Sequence, residues 1–347
     1  MSLTDRLDRW QRRFPRVGFP LAVFYKFFDD MGNYLAALLT YYAFVSLLPL
    51  LLLASTVLSV LLVGHPTWQH YLLTSALGEF PVVGKQLSAP AALGGGTTGI
   101  VIGVVGALYG ALGVAQALQH AGNTVWHVPR NSRPNPFLAR VRSLLLIASV
   151  GLGLVVIVLG SAAMTTIFTD RLAGRVATFA ISSVLLTGVF LVAFRIAPMH
   201  KVDPRDLLPG AALAALLFQT LQSFGYTYVE RVIRNASETN AVFAVVLGLL
   251  AYLYVASMVV VFCMELNVVR RDRLWPRALL TPFTDNVDLT AADQSTYARQ
   301  AQAQRLKGFE TINVEFGESP KHLDPEDSED AGDAEDSEGT GDEARSQ

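Results

Sequence analysis

Six long apolar runs dominate this chain: Ala36 to Val63, Gly99 to His120, Ser143 to Thr169, Val176 to Ala197, Leu207 to Gly225 and Val242 to Leu266. A helix needs about 20 largely apolar residues to cross a hydrocarbon layer about 30 Å thick. In that layer every backbone polar group must find its partner within the segment, which a helix alone can supply for a single run. Each run is therefore predicted to be a spanning helix; the fifth is the shortest, and Gln219 and Gln222 interrupt it. Composition agrees, since 52% of the 347 residues are hydrophobic and only 16% are charged, against roughly 25% charged in soluble domains. An ordinary water-soluble enzyme is excluded. The expected fold is all-α: a polytopic integral membrane protein with six transmembrane helices, an N-terminal amphipathic helix and a disordered acidic C-terminal tail.

The chain divides accordingly into residues 1–34, a membrane domain over 35–280, and a tail over 281–347 that is acidic and disordered from about 317. Phe19 to Asn33 sets Phe24, Tyr25, Phe27 and Phe28 beside Lys26, Asp29 and Asp30, the pattern of a helix lying in the membrane interface. No cleavable signal pattern precedes Leu35, so the first span is expected to act as an uncleaved anchor. The net charge of -2 hides two opposite parts. From Glu315 to Gln347 there are 13 Asp+Glu against two basic residues, a net of -11, which leaves 25 basic and 16 acidic residues before it, a net of +9. Such a tail, poor in aromatics, buries too little apolar surface to order itself.

Orientation follows from the basic residues, because short Lys- and Arg-rich loops stay in the cytoplasm. Alternate sides of the six spans collect 17 and five of them, including Arg130, Arg133, Arg140 and Arg142 in one loop and Arg270 and Arg271 after the last span. Both termini are expected in the cytoplasm. Those six arginines are candidates for anionic lipid headgroups. Nucleic acid is not expected as a partner, since topology already accounts for the basic residues and no aromatic stacking platform accompanies them.

Polar residues within the runs fall at helical spacing. Tyr109, Gly113, Gln116, His120 and Asn123 share one face; Gln219, Gln222 and Tyr226 form a second stripe; Tyr42, Ser46 and Pro49 a third; Tyr254, Ser257 and Glu265, with Asn267 beside them, a fourth. Such groups are costly in hydrocarbon and face a bundle interior or a wet cavity. They serve either as hydrogen bonds between helices or as the lining of a polar cavity toward the cytoplasmic half. Glu265, the one acid within a predicted span, serves either a salt bridge with the basic cluster after it or a ligand. Small residues at Gly99, Gly103, Gly106, Gly110 and Gly210 suit close helix packing, and Pro49 should kink the first span.

Catalytic motifs are missing: no Walker loop, His-Glu-x-x-His or Gly-x-Ser-x-Gly occurs. His65 and His70 share an outer loop with Glu79, a poor match for metal-ligand spacing, and read as loop residues. The single cysteine, Cys263, forms no intramolecular disulfide. No cofactor, no metal and no enzymatic activity are expected.

The run Ala36-Ala37-Leu38-Leu39-Thr40-Tyr41-Tyr42-Ala43-Phe44-Val45-Ser46-Leu47-Leu48-Pro49-Leu50 resembles the signature of the YihY/BrkB family of bacterial inner-membrane proteins. Asn123 to Arg130, and Tyr252 to Tyr254 with Glu265 to Asn267, support it, so the resemblance spans about residues 20 to 275. Asn240 to Phe243 departs from the family's more Gly- and Ser-containing turn. The resemblance implies six helices with both ends in the cytoplasm. Members have been linked to serum resistance and envelope lipid export, and an older label names a tRNA-processing ribonuclease, for which no aqueous metal or His-acid site is found here. The expected function is transport or lipid handling in the envelope, with a non-catalytic scaffold as the alternative. Expected partners are membrane lipids, with a homo-oligomer or an envelope protein as further possibilities.

Overall fold

A computed structural model describes residues 15–61, 96–167, 171–235 and 238–317, with positions 8, 11, 13 and 319. All regular elements among the described residues are helical: α1 (Pro15–Asp29), α2 (Gly32–Leu61), α3 (Gly96–Val125), α4 (Pro136–Ile167), α5 (Arg171–Ile196), α6 (Pro204–Asn235), α7 (Glu238–Asp272) and α8 (Ala291–Gln302), with one 3₁₀ turn at Arg130–Ser132. By length and composition, α4, α5, α6 and α7 contain segments able to cross a membrane. The second predicted span falls within α3, and the first lies in α2 as far as Leu61, where the described residues stop; each helix is 30 residues long. The helix predicted to lie in the interface runs from Pro15, four residues before the predicted start, and ends at Asp29. The segment with His65, His70 and Glu79, predicted to be an outer loop, and the acidic sequence beyond 319 lie outside the described residues.

Helices adjacent in sequence pack on one another from α2 to α7, and α7 packs back on α2, closing a circuit. α7 is the hub, since it also touches α1 and α3. Ala211, Ala214, Val261, Cys263, Met264 and Val268 form a buried apolar core with Ala117, Leu118 and Ala121 of α3. Outer faces remain apolar, as lipid requires: Leu152 and Leu159 of α4 and Val184 of α5 are exposed.

The closest helix pair is α2 with α3, and its complementarity is specific. A Cβ at Gly106 would come 2.7 Å from the Pro49 Cβ, one at Gly110 would strike the Ser46 backbone, and one at Gly113 the Tyr42 ring. Glycines of α3 thus form a groove that Tyr42, Ser46 and Pro49 fill, the way small residues let membrane helices approach. Pro49 leaves α2 one continuous helix.

After α7 the chain folds back rather than trailing away. Asp293 carries both jobs there: it completes a capping box with Thr290 at the start of α8 and accepts from the Ala278 N–H at 2.9 Å. Leu280 N donates to the Tyr25 hydroxyl at 3.0 Å, and Gln300 Nε2 to the Asp29 carbonyl at 2.8 Å. Residues 273–317 therefore form a cap seated on α1.

Candidate functional site

The densest chemistry lies where α1, the end of α3 and the last turns of α7 meet. Lys26 points inward from α1 and is wholly buried. Its Nζ donates to Glu265 Oε2 of α7 at 2.9 Å and to the Val125 carbonyl at 3.0 Å, and its remaining N–H faces Asp30 Oδ2. Asp30 Oδ1 lies 2.9 Å from His127 Nε2. The side chains of Lys26, Asp30, Glu265 and His127 are 0%, 1%, 0% and 7% exposed, so the set is closed to solvent. Glu265 Oε1 is buried without a hydrogen-bond partner.

Local structure places His127 there. α3 ends as Val128 N bonds the Asn123 carbonyl at 2.8 Å and His127 N the Thr124 carbonyl at 2.9 Å, the paired bonds of a Schellman termination. This puts His127 at the left-handed position, φ 47°, where glycine is usual. An imidazole there costs on the order of 1 kcal/mol of backbone strain, and its bond to Asp30 offsets that cost.

Electrostatics within α1 are opposed. Burial would push the Lys26 ammonium down, but Asp30 and Glu265 hold it above its ordinary value. Burial would raise Asp30, yet Lys26 and His127 keep it below the usual carboxylate range. Asp29 next to it is raised, because burial outweighs its pairing with Arg277.

That pairing belongs to a second cluster on the cap side of α1. Arg277 is buried, with Nη1 2.9 Å from Asp29 Oδ2 and Nε on Asp293 Oδ1. Its Nη2 has no partner, and its guanidinium lies 5.4 Å from the Tyr297 ring centre. Burial, then the charge of Asp29, pushes the Tyr297 hydroxyl up to about 12.

The polar residues of the spans are distributed rather than gathered. Gln119 Nε2 donates to Ser143 Oγ at 2.8 Å, joining α3 to α4; Thr40 Oγ1 donates to Ser257 Oγ at 3.2 Å, joining α2 to α7; Ser183 Oγ donates to Gln219 Oε1 at 3.1 Å, joining α5 to α6. Met199 N donates to Asn123 Oδ1 and Gly210 N to Asn267 Oδ1, each at 2.8 Å. Tyr42, Ser46 and Pro49 sit against the α3 glycines, and Tyr254 and Gln222 are half-buried. Gly103 is buried. Tyr109, Gln116 and His120 lie on an exposed face of α3 while Gly113 and Asn123 of the same stripe are buried. The side chain of Tyr226 and the surroundings of Gly99 lie outside the described residues.

Glu265 pairs with Lys26 rather than with the basic cluster that begins at Arg270 in the last turn of α7. Of the arginines proposed for lipid, Arg130, Arg140, Arg270 and Arg271 are exposed and Arg133 is half-buried. Arg271 also lies 5.3 Å from the Trp126 ring centre. Arg142 is engaged: Nη2 donates to the Ile196 and Pro198 carbonyls at 2.6 and 2.9 Å, closing the end of α5. Lys26, Asp30 and His127 were missed as a site. Their signals were present, a Lys and an acid four apart among aromatics and a His after Trp126, but nothing local joined them.

The family model described as "Virulence factor BrkB" matches residues 23–282. Inner membrane protein YhjD of Escherichia coli strain K12 is 23% identical over 283 residues, which cover 76% of this chain and 83% of that protein. An uncharacterised protein of Dickeya dadantii, Dda3937_02003, is 25% identical over 259 residues, covering 69% and 78%. No solved structure matches the chain.

Proposed function

This chain belongs to the Virulence factor BrkB family, and from that premise we propose a six-span inner-membrane protein that transports or repositions a lipid or envelope substrate, with both termini cytoplasmic. The observation that carries this reading is the wholly buried Lys26–Glu265 ion pair with Asp30 and His127. Enclosed ionic groups are weak contributors to stability, because desolvation offsets most of their attraction. In membrane proteins they mark substrate and proton pathways. Exposed Arg130, Arg140 and Arg270 support this reading, since a positive-inside orientation would set these cations beside anionic headgroups. The glycine groove of α3 is filled by α2 rather than left open as a flat docking face, which favours transport over a scaffold. A scaffold draws its support from the exposed Tyr109, Gln116 and His120 face, which a second copy or an envelope protein would cover. The test is lipid profiling of both inner-membrane leaflets in a deletion strain, complemented by the natural chain or by Glu265→Gln. An altered distribution restored only by the natural chain is expected; an unchanged distribution on deletion overturns the transport reading.

A further inference from the structure

Counting charge in the α1–α3–α7 cluster gives an imbalance. With a neutral imidazole, one ammonium faces two carboxylates in a volume closed to water, a net of one negative charge. An uncompensated buried charge is costly, and the group concerned binds or releases a proton instead. Lys26 has no N–H left to offer, since its three donors meet Asp30, Glu265 and the Val125 carbonyl. Both Asp30 oxygens are engaged, one by Lys26 and one by His127. Glu265 Oε1 remains without a partner, and the least buried of the four side chains is His127. The neighbouring charges, Asp29 of α1 and Arg277 and Asp293 of the cap, are again one cation with two carboxylates, so they lend the cluster no compensating positive charge.

We propose that Lys26, Asp30, His127 and Glu265 form a proton-binding site that takes up one proton and shares it between His127 and the Glu265 carboxylate. The two loaded forms are electrically equal. In one, imidazolium and ammonium face two carboxylates; in the other, ammonium and neutral imidazole face one carboxylate and one carboxylic acid. Passage between them needs no other reactant. His127 Nε2 gives its proton to Asp30 Oδ1, the Asp30 carboxyl turns to pass that proton to Lys26 as Lys26 releases one to Glu265 Oε2, and the net change is one N–H broken at His127 and one O–H formed at Glu265. The step links the loop after α3 to the body of α7. It rests on the transport reading only for its use, which is to couple substrate movement to protons.

The experiment is infrared difference spectroscopy across a pH titration of the full chain in lipid nanodiscs. A protonated-carboxyl band that appears and disappears with pH is expected, lost in Glu265→Gln and moved by at least one pH unit at its midpoint in His127→Asn. Asparagine is chosen because it tolerates the left-handed backbone at that position. Absence of a titrating band, its persistence in Glu265→Gln, or an unmoved midpoint in His127→Asn overturns the proposal. Where Glu265→Gln fails to insert, the His127→Asn midpoint decides. These outcomes are independent of lipid profiling, so a titrating site with no effect on leaflet composition would fail transport while leaving the proton site standing.

Discussion

Two buried clusters flank α1, each with one cation facing two carboxylates, and they differ in what surrounds the cation. Arg277 stays charged in any protein environment and offers a planar fork that fixes two carboxylates in place. Its partners are Asp29 and Asp293, and Asp293 is tied further to the start of α8. Lys26 is a compact, exchangeable donor among ionisable side chains, with His127 and an unpartnered Glu265 oxygen beside it. One cluster is a clamp for the cap; the other has the composition of a working site. The contrast reaches adjacent residues, since Asp29 and Asp30 are shifted in opposite directions.

Removing each cation should expose this difference most strongly. Lys26→Met leaves Asp30 and Glu265 buried without their counter-ion, a loss of about 3 to 5 kcal/mol, read as lower abundance and thermal stability in detergent. Arg277→Met should cost less, about 1 to 3 kcal/mol, because the cap can lift and rehydrate Asp29 and Asp293. Limited proteolysis should then cut within 281–317 while the helices stay intact. Equal losses in the two variants, or a protected cap in Arg277→Met, would break the comparison.

Neighbouring carboxylates sharpen it further. Asp30 is held below its ordinary 3.8, so its contribution is present above that value and lost as pH falls through its folded-state pKa. Asp29 is held above 3.8, so its contribution is present at lower pH and lost as pH rises through its folded-state pKa. At neutral pH Asp30→Asn should therefore destabilise by about 1 to 3 kcal/mol, while Asp29→Asn should change stability by less than about 1 kcal/mol. Thermal unfolding of the two variants near neutral pH and near pH 4 checks both the ranking and the sign. The smallest effect belongs to the tail: truncation after Phe316 should leave membrane insertion and helix content unchanged by membrane fractionation and circular dichroism.

Apolar periodicity was legible because it is local: four of the six predicted runs overlap helices long and apolar enough to span, and the others overlap α2 and α3. Lys26 was legible only as a charge on an interfacial face, since the partner that draws it inward is 239 positions away. Tyr42, Ser46 and Pro49 were legible as a stripe but not as knobs for Gly113, Gly110 and Gly106, because register between two helices is absent from either one's spacing. The cap was hidden by its polar composition. Its one local sign was Thr290 followed three residues later by Asp293, a capping box that uses Asp in place of Glu.

The separation of Lys26 from Glu265 has a consequence for biogenesis. A ribosome adds roughly 5 to 20 residues per second, so the 239 positions between them take about 10 to 50 s to make. For that interval a nascent chain carries Lys26 and Asp30 with no acid from the last helix to receive them. Docking of α1 onto the last helix is therefore a late event that reports completion of the whole bundle.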